Sequence, residues 1–113
     1  MKLSESAQDG IVVVQPQGRI DNNGVKAFGD RLLEVGRLAP HRIVIDFQQA
    51  SYLNSAGFRA LLIARKQIEQ LQGRLVLCGM SAEITRLFEI ADLANMFVIC
   101  RNRDEGIAEA RSP

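Results

Sequence analysis

The chain has 113 residues, 47% of them hydrophobic and 24% charged, which gives one domain (residues 1–113) with a sizeable core and no room for a second. Lys and Arg number 14 against 13 for Asp and Glu, and the basic residues are scattered, which argues against a nucleic-acid partner. Cys78 and Cys100 each sit in an apolar run and match no metal spacing, and the N-terminus is polar with no apolar run near eighteen residues anywhere, so the expectation is a cytoplasmic chain with reduced core thiols and no membrane insertion.

Asp9-Gly10 separates Leu3–Ala7 from the apolar run Ile11–Val14, which predicts an opening antiparallel hairpin. After Gly18-Arg19-Ile20-Asp21, either Asn22 or Asn23 is suited to cap a helix in which Val25, Phe28, Leu32 and Val35 recur at helical spacing, with Pro40 just past its end. Arg42–Phe47 reads as a strand covered on both faces, and the polar stretch Gln48–Asn54 as a loop. From Phe58 onward Leu61, Leu62, Ile68 and Leu71 suggest one helical face, ending at Gly73, with Arg59, Lys66 and Gln70 outward. Leu75–Cys78 is a further strand. Ser81 is suited to cap a third helix with Ile84, Leu87 and Phe88 inward, Phe97–Cys100 gives a last strand, and Asp104–Arg111 a short closing helix. Strand and helix alternate through short connections, so the expected fold is α/β: a mixed sheet of about five strands, the first antiparallel and the rest mainly parallel, with about four helices. Ile45, Leu62, Val76 and Leu87 are expected in the core.

In open sheets of this kind, ligands and partners meet the loops beyond the carboxyl ends of the strands. Those loops are Gly18–Gly24, Gln48–Gly57 and Gly79–Ser81, which carry Asp21, Asn54, Ser55 and Ser81. With strands about 4.8 Å apart, Asp21 and Ser55 fall within one or two side-chain lengths of each other. By residue type alone Asn54 or Ser55 is a helix N-cap.

The run "YLNSAGFRALL", Tyr52–Leu62, following the strand "RIVIDF" and the earlier "GRIDNNG", resembles the signature of STAS domains, the family of anti-sigma-factor antagonists and sulfate-transporter tails, over essentially the whole chain. The resemblance implies a binding switch rather than an enzyme, with no cofactor and no metal. In the family pattern, Asp-Ser-Ser/Thr-Gly, the serine after the acidic residue is phosphorylated by a partner that is both anti-sigma factor and serine kinase of the histidine-kinase ATPase fold; by position this is Ser55. Gly57 matches the family glycine and Asp21 the acidic residue near the phosphorylation loop. Asn54 and Ala56 depart from the pattern: Asn keeps a capping oxygen but removes a charge, and Ala removes a second hydroxyl. The implied partner surface is Asp21, Asn54, Ser55, Ala56, Gly57 and the outward Arg59, with a serine phosphatase as a further partner. The alternative within the same family is a STAS subunit docked on a membrane transport or lipid-trafficking assembly.

Other constellations point elsewhere. His41 is the only histidine and starts the strand whose far end leads to Ser55, roughly 20 Å away at about 3.3 Å per residue, which argues against a Ser-His-Asp hydrolase; it reads as a surface residue. Asp46 is either a second acidic member of the site or a capped or solvent-reaching strand residue. Met80 and Phe88 are possible partner contacts, with core packing the better reading for Phe88.

Overall fold

The computed structural model describes residues 2–113. Strand β1 (Lys2–Gln8) turns back into β2 (Ile11–Ile20) through Asp9 and Gly10, both left-handed at φ 54° and 79°. Two consecutive positive φ values give the tight turn whose twist matches antiparallel strands, and the Asp-Gly pair is suited to it. The chain then forms α1 (Val25–Gly36), β3 (Arg42–Asp46), β4 (Ala50–Leu53), α2 (Ser55–Gln70), β5 (Arg74–Cys78), α3 (Ala82–Ile90), a 3₁₀ turn (Ala94–Met96), β6 (Val98–Cys100) and α4 (Arg103–Arg111). The sheet order is β1-β2-β3-β5-β6, and β4 pairs with the outer end of β2. β1 and β2 are antiparallel; every other pair is parallel.

The α/β architecture and strand directions are those expected from the sequence. Some local readings are corrected. Gln48–Asn54 is not all loop, because Ala50–Leu53 pairs with the end of β2 as a sixth strand. The same pairing makes Gly18–Ile20 strand rather than turn. The first-helix cap also differs. Neither Asn22 nor Asn23 caps α1; Gly24 holds that position without a side-chain bond, because the main-chain oxygen of Asp21 closes the entry turn by accepting from the N–H groups of Gly24 and Val25 at 3.0 and 2.8 Å.

Alternation along the parallel strands divides the core in two. Ile43, Ile45 and Leu77 point to the face covered by α1, α2 and α3, where they meet Phe28, Leu32, Leu61, Ile68, Ile84 and Phe88. Val44, Val76 and Cys78 point to the opposite face, where Ile107 and Ala110 of α4 cover them. Strands covered on both faces have no polar side, as the nearly continuous apolar runs require. Ile45 and Val76 are fully buried, and Leu87 is half-buried against the larger cluster. Leu62 is a correction: α2 turns Phe58, Leu61, Ala64 and Ile68 inward, leaving Leu62 on the flank and Leu71 exposed past the helix end.

Candidate functional site

The carboxyl ends of β2 and β4 create the site. In the β2–β4 ladder Ile20 is opposite Leu53, so the residues that follow, Asp21 and Asn54, leave the sheet side by side. The Asn54 N–H donates to the Ile20 carbonyl at 3.1 Å, and its side-chain amide donates to Asn22 Oδ1 at 3.0 Å. Asn54 is extended (φ −94°, ψ −179°) and is the N-cap of α2, its Oδ1 accepting from the Gly57 N–H at 3.0 Å. One residue thus fastens two loops and starts a helix, which a short amide with both a donor and an acceptor can do.

Ser55 is the first residue of α2 and is exposed, Ala56 is half-buried, and Arg59, one turn later, is exposed. The first turn of α2 carries no acidic side chain, so its positive dipole end is uncompensated. Gly57 is buried beneath this surface. A Cβ there would overlap Leu53 Cδ1 and stand 3.2 Å from Ile20 Cγ2, so glycine lets the helix start seat directly on the ends of β2 and β4. Asp21 is half-buried and organises its own turn: Oδ1 accepts from the Asn23 N–H at 3.1 Å, and Oδ2 lies 3.5 Å from Arg19 Nε. Arg19 also lies 4.2 Å above the centre of the Tyr52 ring, a cross-strand cation–π pair.

Asp21, Asn54 and Ser55 are therefore brought to one edge of the sheet. The third loop belongs to a different cluster. Ser81 caps α3, accepting from the Ile84 N–H at 3.1 Å, and Gly79 packs against Asp46. Asp46 is a capped strand residue rather than a solvent-reaching one: it is 2% exposed and accepts from Arg103 Nε at 2.9 Å, the Gln48 N–H at 2.9 Å and Gln15 Nε2 at 3.3 Å. His41 is half-buried rather than on the surface, with φ 65° and its Nδ1 2.8 Å from the Gly36 carbonyl oxygen. Phe88 is core, stacked edge-on against Phe47, Phe58 and Phe97, and Met80 packs partly buried on the same cluster. Among the described residues no group of three or more His, Cys, Asp or Glu is placed to hold a metal ion, and no helix is long and apolar enough to cross a membrane.

Asn22 and the Arg19–Tyr52 pair are site features that the sequence reading did not assign. Both depend on β4 lying beside β2, so neither is visible until that pairing is known. Asn22 stands out in sequence only as a possible helix cap.

Comparison with known proteins adds family and fold. The STAS domain model matches residues 4–106. Over 108 residues, 96% of this chain and 93% of the other, the sequence is 30% identical to a Bordetella bronchiseptica protein that carries the provisional name anti-sigma factor antagonist BtrV. Among solved structures, an anti-sigma factor antagonist of the same provisional kind from Thermotoga maritima superposes with a TM-score of 0.89 at 14% identity, covering 97% of this chain and 95% of that one. The Bacillus cell-fate determinant SpoIIAA in its phosphorylated form gives a TM-score of 0.71 at 19% identity over 97% of this chain and 100% of that one. The strand order, the helix that opens at Ser55 and a family match spanning nearly the whole length agree: the chain belongs to the STAS domain family.

Proposed function

We propose that the chain, acting as one cytoplasmic STAS domain over residues 1–113, is an anti-sigma factor antagonist, a binding switch set by phosphorylation of Ser55. The observation that carries this reading is an exposed serine as the first residue of α2, on a sequence 30% identical over nearly its whole length to a protein named for that role. The partner is an anti-sigma factor that doubles as a serine kinase of the histidine-kinase ATPase fold, and a serine phosphatase resets the switch. The contact surface is the edge formed by Asp21, Asn54, Ser55, Ala56 and Arg59, seated on Gly57. The chain is the substrate of the kinase, not a catalyst.

Charge drives the switch. A phosphate adds about −1.5 to −2 charges at the amino end of α2, where the helix dipole favours it, so the free domain keeps its fold. In a complex the same charge is desolvated or set against partner carboxylates, and an uncompensated buried charge costs about 3–5 kcal/mol. An affinity loss of that size turns tight binding into release.

The test joins mass spectrometry and calorimetry with the cognate kinase. Wild-type protein should gain one phosphate and Ser55→Ala none. The unphosphorylated protein should bind the partner, Ser55→Asp should bind more weakly, and Arg59→Glu should weaken binding while leaving the melting temperature nearly unchanged. A wild type that stays unmodified, together with a Ser55→Asp variant that binds as tightly, makes Ser55 a helix-start residue and nothing more.

A further inference from the structure

Cys78 and Cys100 are partner residues in the parallel β5–β6 ladder. Both point to the face covered by α4: Cys78 belongs to the smaller core cluster and Cys100 packs against that cluster. Both are free thiols, Cys78 fully buried and Cys100 half-buried. Neighbouring strands lie about 4.8 Å apart, inside the Cα window of roughly 4.4–6.8 Å that a disulfide spans. The Cβ atoms of a disulfide approach to about 3.8 Å, so the strands must draw together slightly. β6 can supply that movement, because it has three residues and ends the sheet order, with no strand on its outer side among the described residues. Above Cys78, α4 presents Gly106, whose missing side chain lets the helix pack close over this residue: a Cβ there would stand 3.3 Å from Cys78 Cβ and 3.4 Å from its Sγ.

We propose that Cys78 and Cys100 form a reversible intrachain disulfide when the folded chain meets a peroxide. Cys100, the more accessible sulfur, is oxidised first: its thiolate attacks the peroxide O–O bond, takes one oxygen as sulfenic acid and releases water. The Cys78 sulfur then attacks the Cys100 sulfur, forming the S–S bond and expelling the oxygen as a second water. Two thiols lose two electrons and two protons, and hydrogen peroxide is reduced to two waters. Burial pushes the Cys78 thiol up to about 12 and raises that of Cys100 as well, so the thiolates are scarce near neutral pH and the response is slow and dose-dependent. A buried second thiol beside an accessible first one protects Cys100 from irreversible over-oxidation. This inference does not depend on Ser55 or on any partner.

The whole chain is treated with hydrogen peroxide under native conditions, quenched in acid, alkylated after unfolding and mapped by mass spectrometry. The expected product has lost two hydrogens, takes no alkyl group, links the peptide bearing Cys78 to that bearing Cys100, and returns to two alkylatable thiols with dithiothreitol. Cys100→Ser should give no crosslink and should leave Cys78 open to alkylation only after unfolding. Because a change at Cys100 is near the edge of the sheet while Cys78 is in the core, the wild-type map alone decides the matter if a variant folds poorly. Cys100 advancing to sulfinic acid with Cys78 still free, dimers joined through Cys100, two unreacted thiols, or an equal crosslink yield in urea would each overturn the proposal.

Discussion

At the scale of single residues, the site depends on two residues that serve for opposite reasons. Asn54 is there for its bonds, which tie it to Ile20, Asn22 and Gly57. Asn54→Ala keeps the main-chain bond to Ile20 but removes the two side-chain bonds, to Asn22 and Gly57, and should cost about 0.5–2 kcal/mol in a denaturant melt. Asn54→Asp keeps the capping oxygen and adds charge at the helix start, but it replaces the amide that donates to Asn22 with an acceptor facing an acceptor. The dipole gain of about 0.3–1 kcal/mol is therefore set against the lost loop tie. The variant should melt within about 1 kcal/mol of wild type and, by restoring the family carboxylate, take phosphate from the kinase faster. Gly57 is there for the atoms it lacks. Gly57→Ala brings Cβ into Leu53, and since the site is closed on one side by the sheet and on the other by the helix itself, overpacking should cost about 1–3 kcal/mol. The same variant should weaken partner binding, because relief of the clash lifts the first turn of α2, and Ser55 with it, off the sheet.

At the scale of elements, what the sequence made legible was periodicity, and what it hid was pairing. The parallel strands β3 and β5 announce themselves as short apolar runs, and Ser81 and Asn102, the caps of α3 and α4, stand directly before their helices. β4 carries no such signal. Only Ala50 and Leu53 of its four residues are buried, and its register breaks between Gly18/Ala50 and Arg19/Tyr52, where Ser51 is the extra residue. A bulge destroys the two-residue alternation by which a strand is recognised. The strand therefore exists because β2 offers an edge, a fact of tertiary structure. Asn54 and Asp21 are still legible as loop residues beyond the carboxyl ends of strands, Asp21 after the run that ends at Ile20 and Asn54 at the end of the polar stretch before α2, but it is the Ile20–Leu53 pairing that sets them side by side. The face of α2 is ambiguous in sequence for a similar reason: Leu61 and Leu62 are equal in hydrophobicity, and it is packing against the sheet, which buries Gly57, Phe58, Ala64 and Ile68 on the same face, that turns Leu61 inward. Leu61, with 0% exposure, should therefore lose about 2–5 kcal/mol on truncation to Ala, while Leu62→Ala, on the flank, should lose well under half as much. Paired urea melts of the two variants check this, and equal losses would mean that the helix is rotated.

At the scale of the whole molecule, three arginines clasp α4 to the sheet. Arg42 of β3 donates to the carbonyl oxygens of Ala110 and Ser112. Arg74 of β5 donates to the Glu109 carbonyl at 2.9 Å and pairs with its carboxylate. Arg103, the first residue of α4, reaches Asp46 at the end of β3. The first two work at the rim, where they close off the last carbonyls of a helix. The third is different, because Asp46 is buried while 39% of the Arg103 side chain is exposed. Remote from this clasp, Arg31 of α1 holds the Glu5 carboxyl of β1 below its ordinary range. A depressed folded value stabilises above the unfolded pKa near 4.5 and is lost as pH falls through the folded one. Because both groups are partly solvated, the effect is on the order of 1 kcal/mol or less. Glu5→Gln should flatten the stability curve below about pH 4.5 by that amount, with little change in shape above it.

Arg103 should matter more, although it too is a single ion pair. Asp46 sits at the junction of β3, the Gln48 turn and α4, with one oxygen receiving the Gln48 N–H and the other receiving Gln15 and Arg103. The two neutral donors do not balance its charge. Arg103→Ala leaves an uncompensated carboxylate in a site without water's dielectric, and breaking a buried pair in this way costs about 3–5 kcal/mol, toward the lower end here because Arg103 itself reaches solvent. Removing the charge as well should recover much of the loss: Asn at position 46 retains an oxygen for the Gln48 N–H and has no charge to balance. The double variant Asp46→Asn with Arg103→Ala should therefore be more stable than Arg103→Ala alone, a sign that simple addition of two destabilising changes does not produce. A double-mutant cycle from urea melts measures it. Strict additivity would mean that α4 is held by Arg42, Arg74 and its apolar face, with the pair to Asp46 contributing nothing.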